Sequence, residues 1–321
     1  MSRRRVSATL MLIVLVSASA WAQQDSCQTR VVPVSIMSGD GSLLPDINDA
    51  AFKASYGERS VHINSVTIDQ RPRRIILLLD ASGSFTDNLD WAFNVADDMV
   101  ERIPPPNEIG LMFFATTATP VLPPITDRTK IKNEIESLRS TQAALKKQVH
   151  IRTALRDAIR DAVKLLGSQK IGDVIFVITD GEDNMSKTKP KELVQILVTA
   201  GIRLFAMEVV DPQYLLGRGG TVEPLDGPDS LYQIVKSTGG VAVVSNSLLE
   251  LREVDRHGKA PWGRSVLNSQ YEQMLSFYRV SISFAEPVNE QRDWKLALSG
   301  SGKAAKNHFI LAYPHTLVPC N

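Results

Sequence analysis

One apolar segment of the sequence leads directly into a group of oxygen-bearing side chains. Residues 75–79 are aliphatic, and Asp80, Ser82 and Ser84 follow them at alternate positions. A continuous apolar run of this length predicts a strand buried on both faces of a parallel sheet. Divalent cations such as Mg²⁺ take oxygen ligands, and Mg²⁺ keeps several waters and needs few ligands from the protein. The segment therefore predicts a strand that ends in a metal-binding loop.

Two more oxygen side chains occupy comparable places. Asp180 follows a second apolar run, residues 174–179, and Thr153 opens a helical pattern over residues 153–166. Because functional sites in open α/β sheets lie at the carboxyl ends of the strands, Asp180 is expected near Asp80. Thr153 has an alternative role, because threonine also caps helices without any metal. Aspartate and serine also form turns, so a loop without metal stays open.

The elements that must position these residues form a regular βα alternation. Apolar runs predict strands, and amphipathic stretches with apolar residues at helical spacing predict the helices between them. The strands are expected at residues 75–79, 109–115, 174–179, 202–210 and 241–244, and the helices at 87–103, 129–138, 153–166, 189–200 and 230–237. This alternation predicts an α/β fold with a doubly wound, mainly parallel sheet.

The flanking segments have a different pattern, with short alternating strands. Strands are expected at residues 29–37, 60–68, 277–284, 294–299 and 307–311, and helices at 248–254 and 265–275. We expect the strands of the two flanks to pair in one smaller β unit. The predicted division of the chain is an N-terminal β segment at 23–72, an α/β domain at 73–245 and a C-terminal helix and β segment at 246–321.

The first 22 residues have the features of a secretion signal. Three arginines at positions 3–5 precede an apolar stretch at 8–16, and Ala20 and Ala22 stand where a signal peptidase reads small residues. Cleavage after Ala22 predicts a secreted or periplasmic protein with no membrane span, and an uncleaved anchor is the alternative. The formal net charge of +1 argues against nucleic acid as a partner.

The chain has two cysteines, Cys27 and Cys320. Export permits disulfides, so a bridge between the two ends of the mature chain is expected. Lipid attachment at Cys27 and two free thiols are the alternatives.

The order of these residues resembles the metal-ion-dependent adhesion site of von Willebrand factor type A domains. That site combines a D-x-S-x-S loop, a threonine from a second loop and an aspartate from a third. The resemblance covers residues 73–245 and extends to secreted bacterial proteins with such a domain. It implies that Ser82, Ser84 and Thr153 contact Mg²⁺, Mn²⁺ or Ca²⁺ directly, with Asp80 and Asp180 acting directly or through waters.

The same resemblance implies a non-enzymatic protein-binding module, in which a partner supplies an acidic side chain to the metal ion. One departure concerns the residues before Thr153, where the family usually has glycine and this chain has Arg152. A cation at this position is expected to weaken metal binding by repulsion. The rim of the site is expected at residues 85–88, 118–126, 182–187 and 211–229.

Two other functions remain open. A hydrolase that uses the same metal would need a general base, for which only Glu182 or Asp183 is available, and both are expected to be solvated. A structural module with a vacant metal loop is the third possibility. The histidines show no zinc spacing, and the sequence contains no G-x-S-x-G or phosphate-binding loop.

Overall fold

A computed structural model describes residues 28–38, 42–147, 152–209, 230–245, 262–299 and 309–320. The strands are β1 (Thr29–Ser38), β2 (Phe52–Tyr56), β3 (Arg59–Asp69), β4 (Arg74–Asp80), β5 (Glu108–Phe114), β6 (Ala118–Ile125), β7 (Val174–Thr179), β8 (Arg203–Val209), β9 (Ala242–Ser245), β10 (Phe277–Ser283), β11 (Arg292–Asp293), β12 (Lys295–Leu298), β13 (Phe309–Ala312) and β14 (Thr316–Leu317). The helices are α1 (Leu89–Arg102), α2 (Arg128–Lys147), α3 (Leu155–Leu166), α4 (Pro190–Ala200), α5 (Leu231–Ser237) and α6 (Trp262–Leu275). Short 3₁₀ turns span Asp49–Ala51 and Thr86–Asn88.

The central sheet has six strands in the order β6-β5-β4-β7-β8-β9. All neighbouring pairs are parallel except β5 and β6. The strands β4 and β7 lie in the middle, and every residue of β7 is buried, as its continuous apolar sequence predicts. The predicted doubly wound, mainly parallel sheet is confirmed. The segment expected at the rim over residues 118–126 is instead the antiparallel edge strand β6, and only its first residue, Ala118, pairs with the end of β5.

Helices cover both faces of this sheet, because alternate residues of each strand face opposite sides. Ile75 and Leu77 of β4 share one core with residues of α1, α2 and α6. Ile76 and Leu78 share the other core with residues of α3, α4 and α5. The helix α6 was expected within the C-terminal segment, and its buried side chains, such as Met274, pack on the α/β sheet. The division of the chain into domains stays a prediction.

The flanking segments form the second sheet, an antiparallel one in the order β12-β2-β3-β10-β1-β13. The N-terminal strand β1 lies between the C-terminal strands β10 and β13, so the predicted pairing of the two flanks is confirmed. The strand β2 was not predicted from the sequence, because the strand is short and its side chains are only partly buried. A ribbon of β11 and β14 completes this part of the fold.

Buried cationic and aromatic side chains join the two sheets. Arg203, the first residue of β8, donates to Ser35 Oγ of β1 at 3.2 Å and to the carbonyl oxygens of Gln273 and Met274. Its guanidinium lies 4.4 Å from the ring centroid of Phe277, and that of Arg73 lies 4.3 Å from the same centroid. Burial lowers the pKa of Arg203 to about 9, with a further contribution from the charge of Arg73.

Several predictions concern residues that the structure does not describe. The signal segment 1–22, the helix at 248–254, the whole rim segment 211–229 and Cys27 lie outside the described residues. Cys320 lies beside β1, where Arg30 Nη2 donates to its sulfur at 3.4 Å, and its bridge to Cys27 stays a prediction. Among the described residues, no helix has the length and apolar character needed to span a bilayer.

Candidate metal centre

The candidate site lies where the chain changes direction within the central sheet. From β4 the chain proceeds to β5 on one side, and β7 returns on the other side of β4. Connections that leave in opposite directions open a crevice at the carboxyl ends of the two central strands. Asp80 is the last residue of β4, and Asp180 directly follows β7. The structure therefore places the two predicted aspartates at one edge of the sheet.

Asp80 is fully buried, and both of its carboxylate oxygens accept hydrogen bonds. The backbone N–H of Ser82 donates to Oδ1 at 2.8 Å, and Thr179 Oγ1 donates to Oδ2 at 2.6 Å. Burial, followed by the charge of Asp180, raises the pKa of Asp80 to about 7. A carboxylate in this environment is stabilised by a nearby cation.

Ser82 and Ser84 lie at the inner and outer ends of the loop. Ser82 is fully buried, whereas Ser84 is exposed, and their hydroxyl oxygens lie 3.3 Å apart. Thr86 Oγ1 donates to the carbonyl oxygen of Gly83 at 2.5 Å and closes the turn. The two serine hydroxyls therefore connect the buried Asp80 with the surface.

Thr153 lies beside this loop, held by backbone hydrogen bonds. Its N–H donates to Asn184 Oδ1 at 2.9 Å, and its carbonyl oxygen accepts from the N–H groups of Asn184 and Met185. The neighbouring N–H of Ala154 donates to the carbonyl oxygen of Ala115, the residue after β5. The Asp80 loop is tied to the same strand end, because the N–H of Ala81 donates to the carbonyl oxygen of Phe114.

The side chain of Thr153 is 1% exposed, and its hydroxyl has no hydrogen-bond partner within the described part of the chain. Helix α3 begins at Leu155 with Ala154 as its N-cap, and no side chain of that cap makes a hydrogen bond. Thr153 is thus not the plain helix cap that the sequence left open. A buried hydroxyl without a partner is unfavourable, so this oxygen is available for a ligand.

Asp180 is half-buried and marks the third side of the site. Its Oδ1 accepts from the backbone N–H of Glu182 at 3.1 Å. The next residue, Gly181, has a φ of +82°, a conformation that favours glycine, and its N–H donates to Thr179 Oγ1 at 3.0 Å. This turn directs the chain away from β7 and toward Thr153.

Asp183 was expected to be solvated, and that expectation is wrong. Its side chain is only 6% exposed. Its oxygens accept from the backbone N–H groups of Arg156, near the start of α3, at 2.9 Å and of Ser186 at 3.0 Å. The first N–H groups of a helix need partners from outside it, and Asp183 supplies one. Glu182 is exposed, as expected, and so is Arg152.

A reciprocal contact from α3 holds the other end of this loop. The carboxylate of Asp157 accepts from the N–H groups of Lys187 and Thr188 and from the hydroxyl of Thr188, at 2.5–3.0 Å. The N–H of Asp157 in turn donates to Ser186 Oγ at 3.1 Å. We call residues 181–188 the clamped loop, because both of its ends bond to the start of α3.

Glu208 is a further acidic side chain near the site, and the sequence alone did not single it out. Glu208 pairs with Thr179 in the register of β7 and β8, and its side chain is largely buried. A Cβ added to Gly181 would lie 2.4 Å from Glu208 Oε1, so the carboxylate lies against that glycine. The signal was present in the sequence, because Glu208 is the one acid in the otherwise apolar run 204–210.

The donor set fits a hard divalent cation. The side chains gathered here present hydroxyl and carboxylate oxygens, and Thr153 adds a buried oxygen for which the described part of the chain supplies no hydrogen-bond partner. Among the described residues, no three His, Cys, Asp or Glu side chains form a group that could hold a metal by themselves. A metal would therefore depend on the hydroxyls of Ser82, Ser84 and Thr153. Oxygen sites that need few carboxylates and leave room for waters suit Mg²⁺.

The comparison with protein families agrees with this geometry. A model of the von Willebrand factor type A domain matches residues 75–182, which include Asp80, Ser82, Ser84, Thr153 and Asp180. Glu208 lies beyond the matched segment.

Solved structures similar to the chain include BatB from Bacteroides thetaiotaomicron, with 21% identity, a TM-score of 0.43 and coverage of 62% of this chain and 98% of that one. Another is proximal thread matrix protein 1 from the mussel byssus, solved with a zinc-occupied metal-ion-dependent adhesion site. It has 18% identity and a TM-score of 0.48, and the match covers 67% of this chain and 50% of that one. A third is the von Willebrand factor type A protein of Catenulispora acidiphila. It has 11% identity and a TM-score of 0.45, and the match covers 91% of this chain and 74% of that one. Residues 75–182 of this chain are thus similar to the von Willebrand factor type A domain.

Proposed function

We propose that the protein is a metal-dependent protein-binding module whose site holds a divalent cation. The oxygens of Ser82, Ser84 and Thr153 would contact the ion, and Asp80 and Asp180 would act directly or through waters. The observation that supports this most strongly is the hydroxyl of Thr153, which is buried and has no hydrogen-bond partner among the described residues. Such a group costs about 1–3 kcal/mol when it stays unsatisfied, and a bound cation would remove that penalty.

Mg²⁺ is the cation that we propose, with Mn²⁺ and Ca²⁺ as alternatives. The candidate ligands are hard oxygens, and neither histidine nor cysteine is among them, whereas zinc sites mostly use nitrogen and sulfur. The large rise in the pKa of Asp80 comes from burial and from the charge of Asp180. A cation would offset both effects and keep Asp80 ionised.

The proposed partner is a protein that presents an acidic side chain. Three of the candidate ligands are neutral hydroxyls, so the ion would keep part of its positive charge and attract a carboxylate. The site opens to solvent on the side of Ser84, which is exposed, and Asp180 is half-buried. Arg152 precedes Thr153 in the sequence, and the N–H of Met185 donates to the carbonyl oxygen of Thr153. Both side chains are exposed and could contact the same partner.

A non-catalytic role is part of the proposal. A metal-dependent hydrolase would need a general base near the ion. Of the two bases that the sequence offered, Asp183 has its carboxylate occupied by the N–H groups of Arg156 and Ser186, which leaves the exposed Glu182. No observation of the described residues favours hydrolysis. Export of the mature chain, with the Cys27–Cys320 bridge, completes the proposal and rests on the sequence alone.

The partner proposal can be tested by affinity capture. Immobilised protein would be exposed to the extracellular fraction of the source organism with Mg²⁺ or with a chelator. We expect a protein that is retained with Mg²⁺, released by the chelator and not retained by Asp80→Ala. The conservative variant Thr153→Val guards against misfolding of Asp80→Ala and is expected to lose the same protein. Retention that neither the chelator nor the two variants reduce would contradict metal-dependent binding.

A further inference from the structure

Glu208 is a buried acid that has no hydrogen-bonding or ion-pairing partner among the described residues. Its side chain is 8% exposed, and it makes no hydrogen bond or ion pair within the described part of the chain. Burial raises the pKa of Glu208 most, followed by the charge of Asp180. No Lys, Arg or His side chain is among these causes. Buried carboxylates are normally paired, so an isolated one at this place requires an explanation.

The position of Glu208 follows from the register of the sheet. Val177 pairs with Ala206, and Thr179 with Glu208, on the sheet face that α3 covers. Asp80 lies on the same face, where it accepts the hydrogen bond from Thr179. Thr179 therefore lies between Asp80 and Glu208 in one row across three neighbouring strands. The row ends at the carboxyl edge of the sheet, which is the edge of the candidate metal centre.

The contact with Gly181 brings the carboxylate toward Asp180. Any side chain at position 181 would collide with Glu208, because an added Cβ would lie 2.4 Å from Oε1 and 3.0 Å from Cδ. Glycine at this position thus permits a close approach between the turn after β7 and the acid on β8. Two negative charges near one another in a buried environment repel each other strongly unless a cation compensates them.

From this geometry we infer that Glu208 is a positioning residue of the metal centre, which strengthens cation binding through its charge beside Asp180. This inference rests on the proposed metal site and names a residue outside the five candidate ligands. Glu208 does not join Asp80 and Asp180 in an all-carboxylate site, since no three acids among the described residues form such a group. Its charge instead raises the cost of leaving Asp180 without a cation.

The charge of Glu208 has two consequences of opposite sign. Without metal, its repulsion with Asp180 destabilises the fold, so Glu208→Gln should raise the melting temperature of the metal-free protein. With metal, the same substitution removes an attraction, so the dissociation constant for Mg²⁺ should rise about tenfold. A purely structural role of Glu208 would not raise stability and weaken metal binding together.

The test is calorimetric titration with Mg²⁺ and thermal unfolding with and without the ion. The matched control is Glu182→Gln, which removes an exposed acid from the turn after β7, the turn against which Glu208 lies. Because exposed charges are screened, its Mg²⁺ affinity should stay within about twofold of wild type. Glu208→Asp keeps the charge and should retain more affinity than Glu208→Gln. If Glu208→Gln does not fold, Glu208→Asp is compared with wild type, and a loss of Mg²⁺ affinity of more than about tenfold would overturn the inference.

An unchanged Mg²⁺ affinity in Glu208→Gln would overturn the inference while leaving the proposed metal site in place. Equal losses of affinity in Glu208→Asp and Glu208→Gln would also overturn it, because shape rather than charge would then matter. Absence of Mg²⁺ binding in the wild-type protein would instead refute the proposed function. The three results are distinct, so the two proposals can fail separately.

Discussion

At the scale of single residues, two threonines near the site differ in one decisive respect. Thr179 is buried, and its hydroxyl donates to Asp80 and accepts from the N–H of Gly181. Thr153 is equally buried, and its hydroxyl lacks a partner among the described residues. Thr179 therefore holds Asp80 in place, whereas Thr153 offers an oxygen that is still free to bind a ligand. The same residue type thus has a structural role on β7 and a proposed binding role before α3.

This difference predicts the stability of the metal-free protein. Thr179→Val removes a hydroxyl that makes two hydrogen bonds and leaves Asp80 short of a donor, so it should lower the free energy of unfolding by about 1–3 kcal/mol. Thr153→Val removes an unsatisfied hydroxyl and keeps the shape of the side chain, so stability should stay equal or increase. Chemical denaturation in the presence of a chelator would measure both. A larger loss in Thr153→Val than in Thr179→Val would contradict the assigned roles.

The sequence reveals a site residue when a local pattern places it, and it does not when the residue is placed by long-range contacts. Asp80 and Asp180 each follow an apolar strand, and that pattern places them without knowledge of the fold. The burial of Thr153 depends on two long-range hydrogen bonds that no local pattern shows, one from its own N–H to Asn184 and one from the N–H of Ala154 to Ala115. The repulsion expected from Arg152 stays untested, and the side chain is exposed to solvent, which screens its charge.

At the scale of elements, the clamped loop 181–188 and the start of α3 hold each other through paired contacts. Asp183 bonds to the N–H of Arg156, and Asp157 bonds to the N–H groups of Lys187 and Thr188. Thr153 immediately precedes α3, and Asp180 immediately precedes the loop. Because the loop and the helix are tied, the distance between these two candidate ligands is set before a metal arrives. Such preorganisation reduces the ordering cost of binding.

The importance of these contacts can be measured on α3. Asp157→Ala leaves the N–H groups of Lys187 and Thr188 without their acceptor, so we expect a loss of about 1–3 kcal/mol and faster amide exchange in the clamped loop. Asp161, one turn further along α3, forms an ion pair with Lys164 at the surface. Asp161→Ala is the control and should change stability by less than about 1 kcal/mol. Equal effects of the two variants would show that the clamp does not stabilise the loop.

The elements of the α/β sheet were mostly predictable, and the exceptions have physical reasons. The apolar runs of β4 and β7 are long, uninterrupted and flanked by breakers, so their type and position are clear from the sequence. The strand β6 contains three prolines, which are tolerated because it lies at the edge of the sheet. The role of α6 could not be read from its own sequence, since its buried face is defined only by the α/β sheet on which it packs.

At the scale of the whole molecule, the antiparallel sheet and the candidate metal centre lie at opposite ends of the α/β sheet. The contacts between the sheets involve Arg203 at the start of β8, Arg73 just before β4 and Phe277 at the start of β10. The candidate ligands lie at the carboxyl ends of β4 and β7, across strands of six or seven residues. The β unit therefore leaves the proposed binding edge uncovered.

The region where the two sheets meet, around Arg73, also shows how a buried charge can be stabilised without a metal. Burial would raise the pKa of Asp69, but hydrogen bonds from Arg71 and Arg73 outweigh it and hold the pKa well below its usual range. Asp80 and Glu208 are buried as well, yet the pKa of each is raised, first by burial and then by the charge of Asp180. Arginines thus compensate the buried acid Asp69 where the two sheets meet. At the proposed binding edge, no basic side chain of the described residues lowers the pKa of Asp80 or Glu208.

The central claim is that the buried hydroxyl of Thr153 binds a divalent cation together with Ser82, Ser84 and the two aspartates. The most direct measurement is calorimetric titration of the full mature protein with Mg²⁺, comparing wild type with Thr153→Val. We predict that wild type binds one ion per chain and that the variant, folded and at least as stable, binds about tenfold more weakly or not at all, as expected when one direct ligand is lost. Equal Mg²⁺ affinity in wild type and Thr153→Val, or no binding by wild type, would contradict the claim.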